Sequence, residues 1–271
     1  MPELPEVETT RRGIAPHLIG HRILEITIRE RRLRWPIPAH LETLLSGQSV
    51  HAIGRRAKYI LARLDQGTLI VHLGMSGSLR IVEPGAPLRK HDHIEFLLDS
   101  GLRLRLHDPR RFGALLWTTE APETHPLLAG LGPEPLEEGF DGAHLWEAIH
   151  HRRQAIKTAI MDHHVVVGVG NIYANEALFL SGIDPRRACN RIGRERVHAL
   201  AQHIRTVLSA AVEQGGTTLR DFLNPEGQPG YFQQTLNVYG RTGEPCRRCK
   251  TPIRHAVTGQ RSTFFCPRCQ R

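Results

Sequence analysis

The sequence predicts an α+β fold built from two domains and a small C-terminal module. Three observations carry this. Period-two alternation dominates the first half, a helical period replaces it after a stretch rich in proline and glycine, and the tail holds two C-x-x-C pairs. At 271 residues the chain can form two separate cores. No apolar run approaches the roughly 18 residues that a membrane span requires. The start of the chain carries acids where a secretory signal carries basic and apolar residues, so a cytoplasmic protein is expected. A net charge of +9, with 17 histidines besides, favours a polyanionic partner.

The first element is a helix from about Pro5 to Pro16. Pro5 suits the first helical turn, and Glu3, Glu6 and Glu8 complement the positive helix end. The same stretch supports a chemical reading. If Met1 is removed, Pro2 presents a secondary α-amine with a pKa near ~8, partly neutral and nucleophilic at neutral pH. Its attack on an aldehyde-type carbon gives an iminium, an electron sink for later eliminations. Glu3 adjoins it, and the two readings are compatible.

Strands follow. Leu24, Ile26 and Ile28 alternate with Glu25, Thr27 and Arg29, and Leu102, Leu104 and Leu106 alternate with Arg103, Arg105 and His107, which gives one basic face. Residues 69–73, 78–82 and 93–98 supply further short apolar runs between Gly, Pro and Asp turns, arguing for an antiparallel sandwich or barrel. Lys58, in the run 57–64, shares a strand face with Ile60, Ala62 and Leu64. A lysine there either snorkels to the sheet edge or is held at a site with a lowered pKa. The turn from His72 to Gly77 puts Met75 at an exposed tip, and the loop from Asp108 to Gly113 carries Arg110, Arg111 and Phe112. Met75 and Phe112 are either core residues or apolar wedges that part stacked bases.

Residues 121–142 read as an interdomain connection, with domains at 1–125, 143–232 and 233–271 and a linker at 126–142. Beyond it, Leu145 and Ile149 share a helix face, and a second helix runs from Asn171 to Leu180. Val197, Leu200, Ala201, Ile204, Leu208 and Ala211 mark a longer one that stops at Gly215-Gly216. Gly168-Val-Gly170-Asn171 opens the second helix, where free N–H groups bind phosphate unless the turn is an ordinary loop. Arg152, Arg153 and Lys157 precede it, as a phosphate-facing surface or a solvated charge run.

Cys246, Cys249, Cys266 and Cys269 have the spacing of a four-thiolate zinc ribbon, a closed structural site. Two disulfides are the alternative, disfavoured in a reducing compartment. One structural Zn2+ and no organic cofactor are expected. Arg261 would be held rigidly on the ribbon hairpin, and Cys189 is left as an inert thiol.

Together these residues resemble the bacterial formamidopyrimidine-DNA glycosylase family. The resemblance covers nearly the whole chain, through PELPEVET at the start, RRAKY around Lys58, HLGMSGSLR, KHDH, DPRRFG, LGPEPL, VVGVGNIYANE, EQGGTTLRDF, PGYFQQTLNVYGR and the final ribbon. It implies an N-terminal helix plus an antiparallel β-sandwich, then a helical helix–two-turns–helix domain with a C-terminal zinc ribbon, and damaged double-stranded DNA bound across the cleft between domains. It further implies a monomer, cytoplasmic and nucleoid-associated, that excises oxidised purines such as 8-oxoguanine and formamidopyrimidines and then cleaves the strand as an abasic-site lyase. By this similarity Pro2 is the nucleophile, Glu3 the general acid/base, Lys58 the lysine assisting β-elimination and Arg261 the arginine linked to δ-elimination. His91, Arg110, Arg152, Lys157 and Asn171 correspond to DNA contacts, Met75 and Phe112 to the wedge, and Gly216–Tyr231 to a loop closing over the flipped base. Arg220 departs from the family's usual lysine. Two alternatives are an endonuclease VIII-like enzyme for oxidised pyrimidines and a non-catalytic zinc-ribbon lesion binder.

Overall fold

The computed structural model describes residues 2–216 and 236–271, so most of the expected loop at 216–231, with Arg220, lies outside the described residues. The described residues form two compact units. The first runs to Ala129 and takes in Gln214–Gly216; the second comprises Gly130–Glu213 and Leu236–Arg271. The division falls inside the proline- and glycine-rich stretch.

The first unit opens with α1 (Leu4–Leu18), which buries Val7, Ile14 and Leu18 in the sheet core. Pro16 sits in its last turn, and the helix outlasts the predicted stop by two residues. Eight strands follow: β1 (Ile23–Ile28), β2 (Val50–Arg56), β3 (Tyr59–Leu64), β4 (Thr68–His72), β5 (Ser78–Val82), β6 (Asp92–Leu98), β7 (Arg103–His107) and β8 (Ala114–Thr118). A short helix between β1 and β2, α2 (Leu41–Leu45), adds Leu41 and Leu45 to the core. The strands pair antiparallel in two four-stranded sheets, β1-β6-β7-β5 and β2-β3-β4-β8. Ile60, Leu69 and Val71 of one sheet meet Leu79, Phe96 and Leu106 of the other in a shared core, the predicted antiparallel architecture.

Two strand expectations change. A bulge between Ile23 and Glu25 shifts the register of β1, so Ile23 and Ile26 point inward while Leu24 is left 46% exposed. The basic face of β7 is not offered to a polyanion. Arg105 and Arg103 both donate to Glu95 of β6, the latter at 2.6 Å, and Arg80 of β5 donates to Asp92 at 2.6 Å. Burial opposes ionisation of Glu95, and the two arginines outweigh it, holding its carboxyl below the usual carboxylate range.

The second unit contains α3 (Gly142–Ile149), α4 (Ile156–Ile160), α5 (Asn171–Leu180) and α6 (Arg194–Glu213), then a hairpin of β9 (Arg254–Thr258) and β10 (Arg261–Phe265). Asp141 caps α3, accepting from His144 N at 2.7 Å. Residues 130–140 are anchored to this unit: Gly132 N donates to His163 O at 2.8 Å, Val167 N donates to Pro133 O at 3.1 Å, and Phe140 is buried. No helix among the described residues is long and apolar enough to cross a membrane.

The hairpin module is fastened to α5 through buried polar groups. Glu176 accepts from the backbone N–H groups of Asn237, Val238 and Tyr239 at 2.8–2.9 Å and from Asn237 Nδ2 at 3.0 Å. Asn175 Oδ1 accepts from Phe264 N at 2.8 Å. Replacing Glu176 by Ala strands three backbone donors. Thermal or urea unfolding of Glu176→Ala should show a loss of about 3–5 kcal/mol. A loss below about 1 kcal/mol would mean that water replaces the carboxylate without penalty.

Candidate functional site

In the first unit the chain start is fixed by its own helix. Glu3 is the N-cap of α1, in extended conformation with φ −102°. Its carboxylate accepts the Glu6 N–H, and Glu6 Oε2 accepts the Glu3 N–H at 2.9 Å, a reciprocal capping box. Glu3, Glu6 and Pro2 are all buried. Gly216, at φ +83°, passes so close that a Cβ there would lie 3.0 Å from Glu6 Oε1. The backbone at Pro2 and Glu3 is therefore held by the cap and by burial.

One turn on, Glu8 gathers three arginines. It accepts from Arg11 at 2.8 Å and 3.0 Å, from Arg12 at 2.8 Å and from Arg55 Nε at 3.2 Å. Burial works against ionisation of Glu8, yet these guanidinium groups prevail and hold its pKa at about 2. Arg55 also donates from Nη1 to Ala57 O at 2.9 Å. It thus ties the first turns of α1 to the β2–β3 turn, and that turn carries Lys58. Lys58 does not sit within a strand as expected: β3 begins at Tyr59, and Ala57–Lys58 make the connection, with Ala57 in the left-handed region at φ 52°.

His72, at the end of β4, was not singled out by sequence reasoning. It packs on Tyr59, ring centroids 4.9 Å apart, and its Nδ1 accepts from Gly74 N at 3.0 Å. Burial, then the charges of Lys58 and Arg34, bring its pKa down to about 4. At neutral pH it is an uncharged ring with its proton on Nε2, near enough to Lys58 to feel that charge.

The two predicted loops meet. Gly74 has φ +65°, and a Cβ on it would fall 2.4 Å from the Phe112 carbonyl carbon, so the loops lie backbone to backbone. Asp108 shapes the second loop, accepting from Gly113 N at 2.8 Å and Arg111 N at 3.1 Å, while His93 Nε2–H donates to Asp108 O at 3.0 Å. Met75 is 37% exposed and Phe112 43%. The Arg110 guanidinium lies 5.0 Å above the Phe112 ring. His91, half-buried, accepts the Asp108 N–H on its carbonyl and faces the rings of His93 and His107.

In the second unit, α5 starts at Gly170 without a side-chain cap, leaving its first N–H groups to other acceptors. Among the described residues Asn171 Oδ1 is buried without a hydrogen-bond partner. Arg152 is engaged with Asp162 at 3.0 Å. Lys157, expected on a solvent-facing surface, is 1% exposed; its Nζ donates to Ser262 O at 2.7 Å and Thr263 Oγ1 at 2.8 Å, which braces the ribbon hairpin. Gly259 and Gln260, with φ 57° and 59°, form the tight turn that presents exposed Arg261. A hollow of about 280 Å³ lies here, lined by Gln154, Lys157, Thr158, Asp162, Gly259 and Arg261.

Cys246, Cys249, Cys266 and Cys269 converge, their sulfurs all within 4.8 Å of one another. Sγ–Sγ separations of 3.4 Å for Cys249–Cys266 and 3.9 Å for Cys246–Cys269 bracket the roughly 3.8 Å edge of a tetrahedron with Zn–S bonds of about 2.3 Å. The donor set fits one structural zinc, and the disulfide alternative gives way to a single four-thiolate cluster. Cys189 is buried, and burial pushes its thiol up to about 11, an unreactive state.

Comparisons with known proteins agree along the whole chain. Residues 1–115 match the family model of the formamidopyrimidine-DNA glycosylase N-terminal domain, 131–223 that of the formamidopyrimidine-DNA glycosylase H2TH domain, and 243–271 that of the zinc finger found in FPG and IleRS. The formamidopyrimidine-DNA glycosylases of Methylococcus capsulatus and Pseudomonas fluorescens are each 60% identical over 271 residues, with full coverage of both chains. Among solved structures, MutM (Fpg) from Thermus thermophilus aligns with TM-score 0.89 and 37% identity, over 99% of this chain and 98% of that one. Lactococcus lactis Fpg in complex with an abasic-site-containing DNA aligns with TM-score 0.92 and 33% identity over the full length of both.

The Glu8 cluster sets a pH dependence. Its folded pKa of about 2 lies below the ordinary 4.5, so its stabilisation is fully present above pH 4.5 and disappears as pH falls towards 2. Urea titrations of wild type and Glu8→Gln should differ by a constant amount from about pH 5 to 7 and converge only below about pH 2. A gap that persists at low pH would assign the cluster's contribution to packing instead of charge.

Proposed function

The chain belongs to the formamidopyrimidine-DNA glycosylase family, and we propose that it is a bifunctional DNA repair enzyme working through its N-terminal amine. It is a DNA glycosylase acting on oxidised or abasic lesions, with damaged double-stranded DNA as its partner and one structural zinc. Membership disfavours both the oxidised-pyrimidine alternative and the non-catalytic lesion binder. Its preferred substrates are oxidised purines, 8-oxoguanine and formamidopyrimidines. It acts as a monomer, and that substrate implies a cytoplasmic, nucleoid-associated location.

One observation carries the mechanism: the buried, reciprocally capped chain start is tied through Glu8 and Arg55 to the turn bearing Lys58. With Met1 removed, the Pro2 nitrogen attacks C1′ of the damaged nucleotide, the glycosidic bond breaks and the base leaves with a proton. Sugar-ring opening, assisted by Glu3, gives the iminium. Loss of the C2′ proton then breaks the C3′–O bond and releases the 3′ phosphate, which is the abasic-site lyase step, with Lys58 and the His72 Nε2–H close to the reacting sugar. Loss of a further proton breaks the C5′–O bond and releases the 5′ phosphate, with Arg261 serving this δ-elimination. Water then hydrolyses the Pro2–C1′ iminium, freeing the amine and an unsaturated aldehyde from the sugar, and the DNA keeps a one-nucleotide gap with phosphates at both ends.

For DNA binding, Met75 and Phe112 fill the space left by the extruded base, and Arg110 faces the orphaned partner. His91 and Asn171 meet the backbone, and Arg152 does so by exchanging Asp162 for a phosphate. Lys157 acts through the ribbon hairpin that it braces, its Nζ being buried against Ser262 and Thr263.

Borohydride trapping on an 8-oxoguanine:cytosine duplex tests the chemistry. A covalent adduct should form, and peptide mass analysis should locate it on residue 2; protein retaining Met1 should form none. Attachment at Lys58 would overturn the nucleophile assignment, and absence of any adduct would remove the lyase reading.

A further inference from the structure

A second cluster of metal-ligating side chains lies in the turn after α4, formed by Asp162, His163 and His164. A carboxylate oxygen and one ring nitrogen from each histidine all lie within 4.8 Å of one another. Bonds of about 2.0–2.1 Å to a tetrahedral ion would need ligand atoms about 3.3 Å apart, a contraction within reach of exposed side chains.

His164 has its tautomer set for ligation, because its Nδ1–H donates to Gly130 O at 2.6 Å and leaves the ring's lone pair on Nε2. A backbone carbonyl on the far ring nitrogen is the arrangement that fixes the tautomer and raises the basicity of a metal-bound histidine. The backbone is set as well. His164 N donates to Asp162 Oδ1 at 3.0 Å, Gly132 N to His163 O at 2.8 Å, and Val165 N to Asp162 O at 2.9 Å. The chain passes so near Gly132 that a Cβ there would fall 2.7 Å from His164 O. The two imidazoles lie with centroids 4.2 Å apart and planes tilted by 42°, and the His163 ring makes no hydrogen bond among the described residues.

We propose that Asp162, His163 and His164 bind an exchangeable divalent transition-metal ion, distinct from the zinc of the ribbon. Two imidazoles and one carboxylate favour zinc, cobalt, nickel or copper over magnesium or calcium. Three ligands on an exposed turn leave coordination positions for water, unlike the closed thiolate site. The Arg152 guanidinium, 3.0 Å from Asp162 Oδ2, competes for the same carboxylate and keeps the ion exchangeable.

Cobalt titration of the full chain, with one ribbon zinc verified by elemental analysis, decides this. Visible absorbance and calorimetry should report one further equivalent that a mild chelator removes while the ribbon zinc stays. His163→Ala and His164→Ala should each weaken it by about tenfold or more. His51→Ala, in the first unit and paired with Asp65, should leave it unchanged. Retained ribbon zinc in His163→Ala reports an intact fold. No further equivalent, or wild-type cobalt affinity in His163→Ala, overturns the site.

Discussion

The proposed role of the chain start requires that end to stay still, and the reciprocal bond pair between Glu3 and Glu6 is the constraint that fixes the backbone there. Ordering the backbone of one residue costs about 1–2 kcal/mol, and a chain end normally avoids it. Here two charge-assisted bonds at the start of α1, together with burial of Pro2, offset that cost. A stationary nucleophile reacts as if in the same molecule as its target, and this is where positioning contributes most to rate. The arginines around Glu8 extend the constraint outward. Arg55, bridging Glu8 to Ala57 O, and Arg11, donating to Ile53 O, couple α1 to the strand that leads into the Lys58 turn.

The second unit solves a related problem by the same means. A two-stranded hairpin is marginal on its own, and four thiolates with a metal define only its base. Asn175, Glu176 and Lys157 supply the remainder, each burying a polar or charged group against donors or acceptors of the ribbon. Such groups are costly unless every partner is in place, so they tolerate one arrangement of the ribbon and penalise its neighbours. Arg261 inherits its position from that arrangement, being held at the hairpin turn next to the braced residues 262 and 263.

Much of this was legible in the sequence because it depends on local pattern. Asn171–Leu180 is an apolar helix between glycines, the cysteine spacing defines the ribbon, and alternating residues mark most strands of the sandwich. What escaped depends on partners distant in sequence or on backbone twists without a residue signature. The bulge that turns Leu24 outward leaves no mark in the alternation. Ala57 adopts a left-handed conformation that a glycine would have advertised, so Lys58 read as a strand residue. Arg105 looked like a free basic face because its partner Glu95 belongs to the neighbouring strand. His72 and Lys157 acquire their roles only through cross-strand and cross-element neighbours, Tyr59 and Gly74 for one and Ser262 and Thr263 for the other.

Net charge therefore announces the class of partner without locating the surface that meets it. Arg55, Arg80, Arg103, Arg105 and Lys157 are committed to internal acceptors, and each such cation would have to abandon a buried partner to reach a phosphate. Breaking a buried pair costs about 3–5 kcal/mol, more than one exposed phosphate contact returns. The cations left for a polyanion are those on exposed turns, among them Arg110 beside Phe112 and Arg261 on the hairpin. In the first unit, Arg110 shares its loop pair with the apolar tips of Met75 and Phe112. The surface open to a polyanion is thus defined less by how much positive charge the chain carries than by which of its cations the fold leaves on exposed turns.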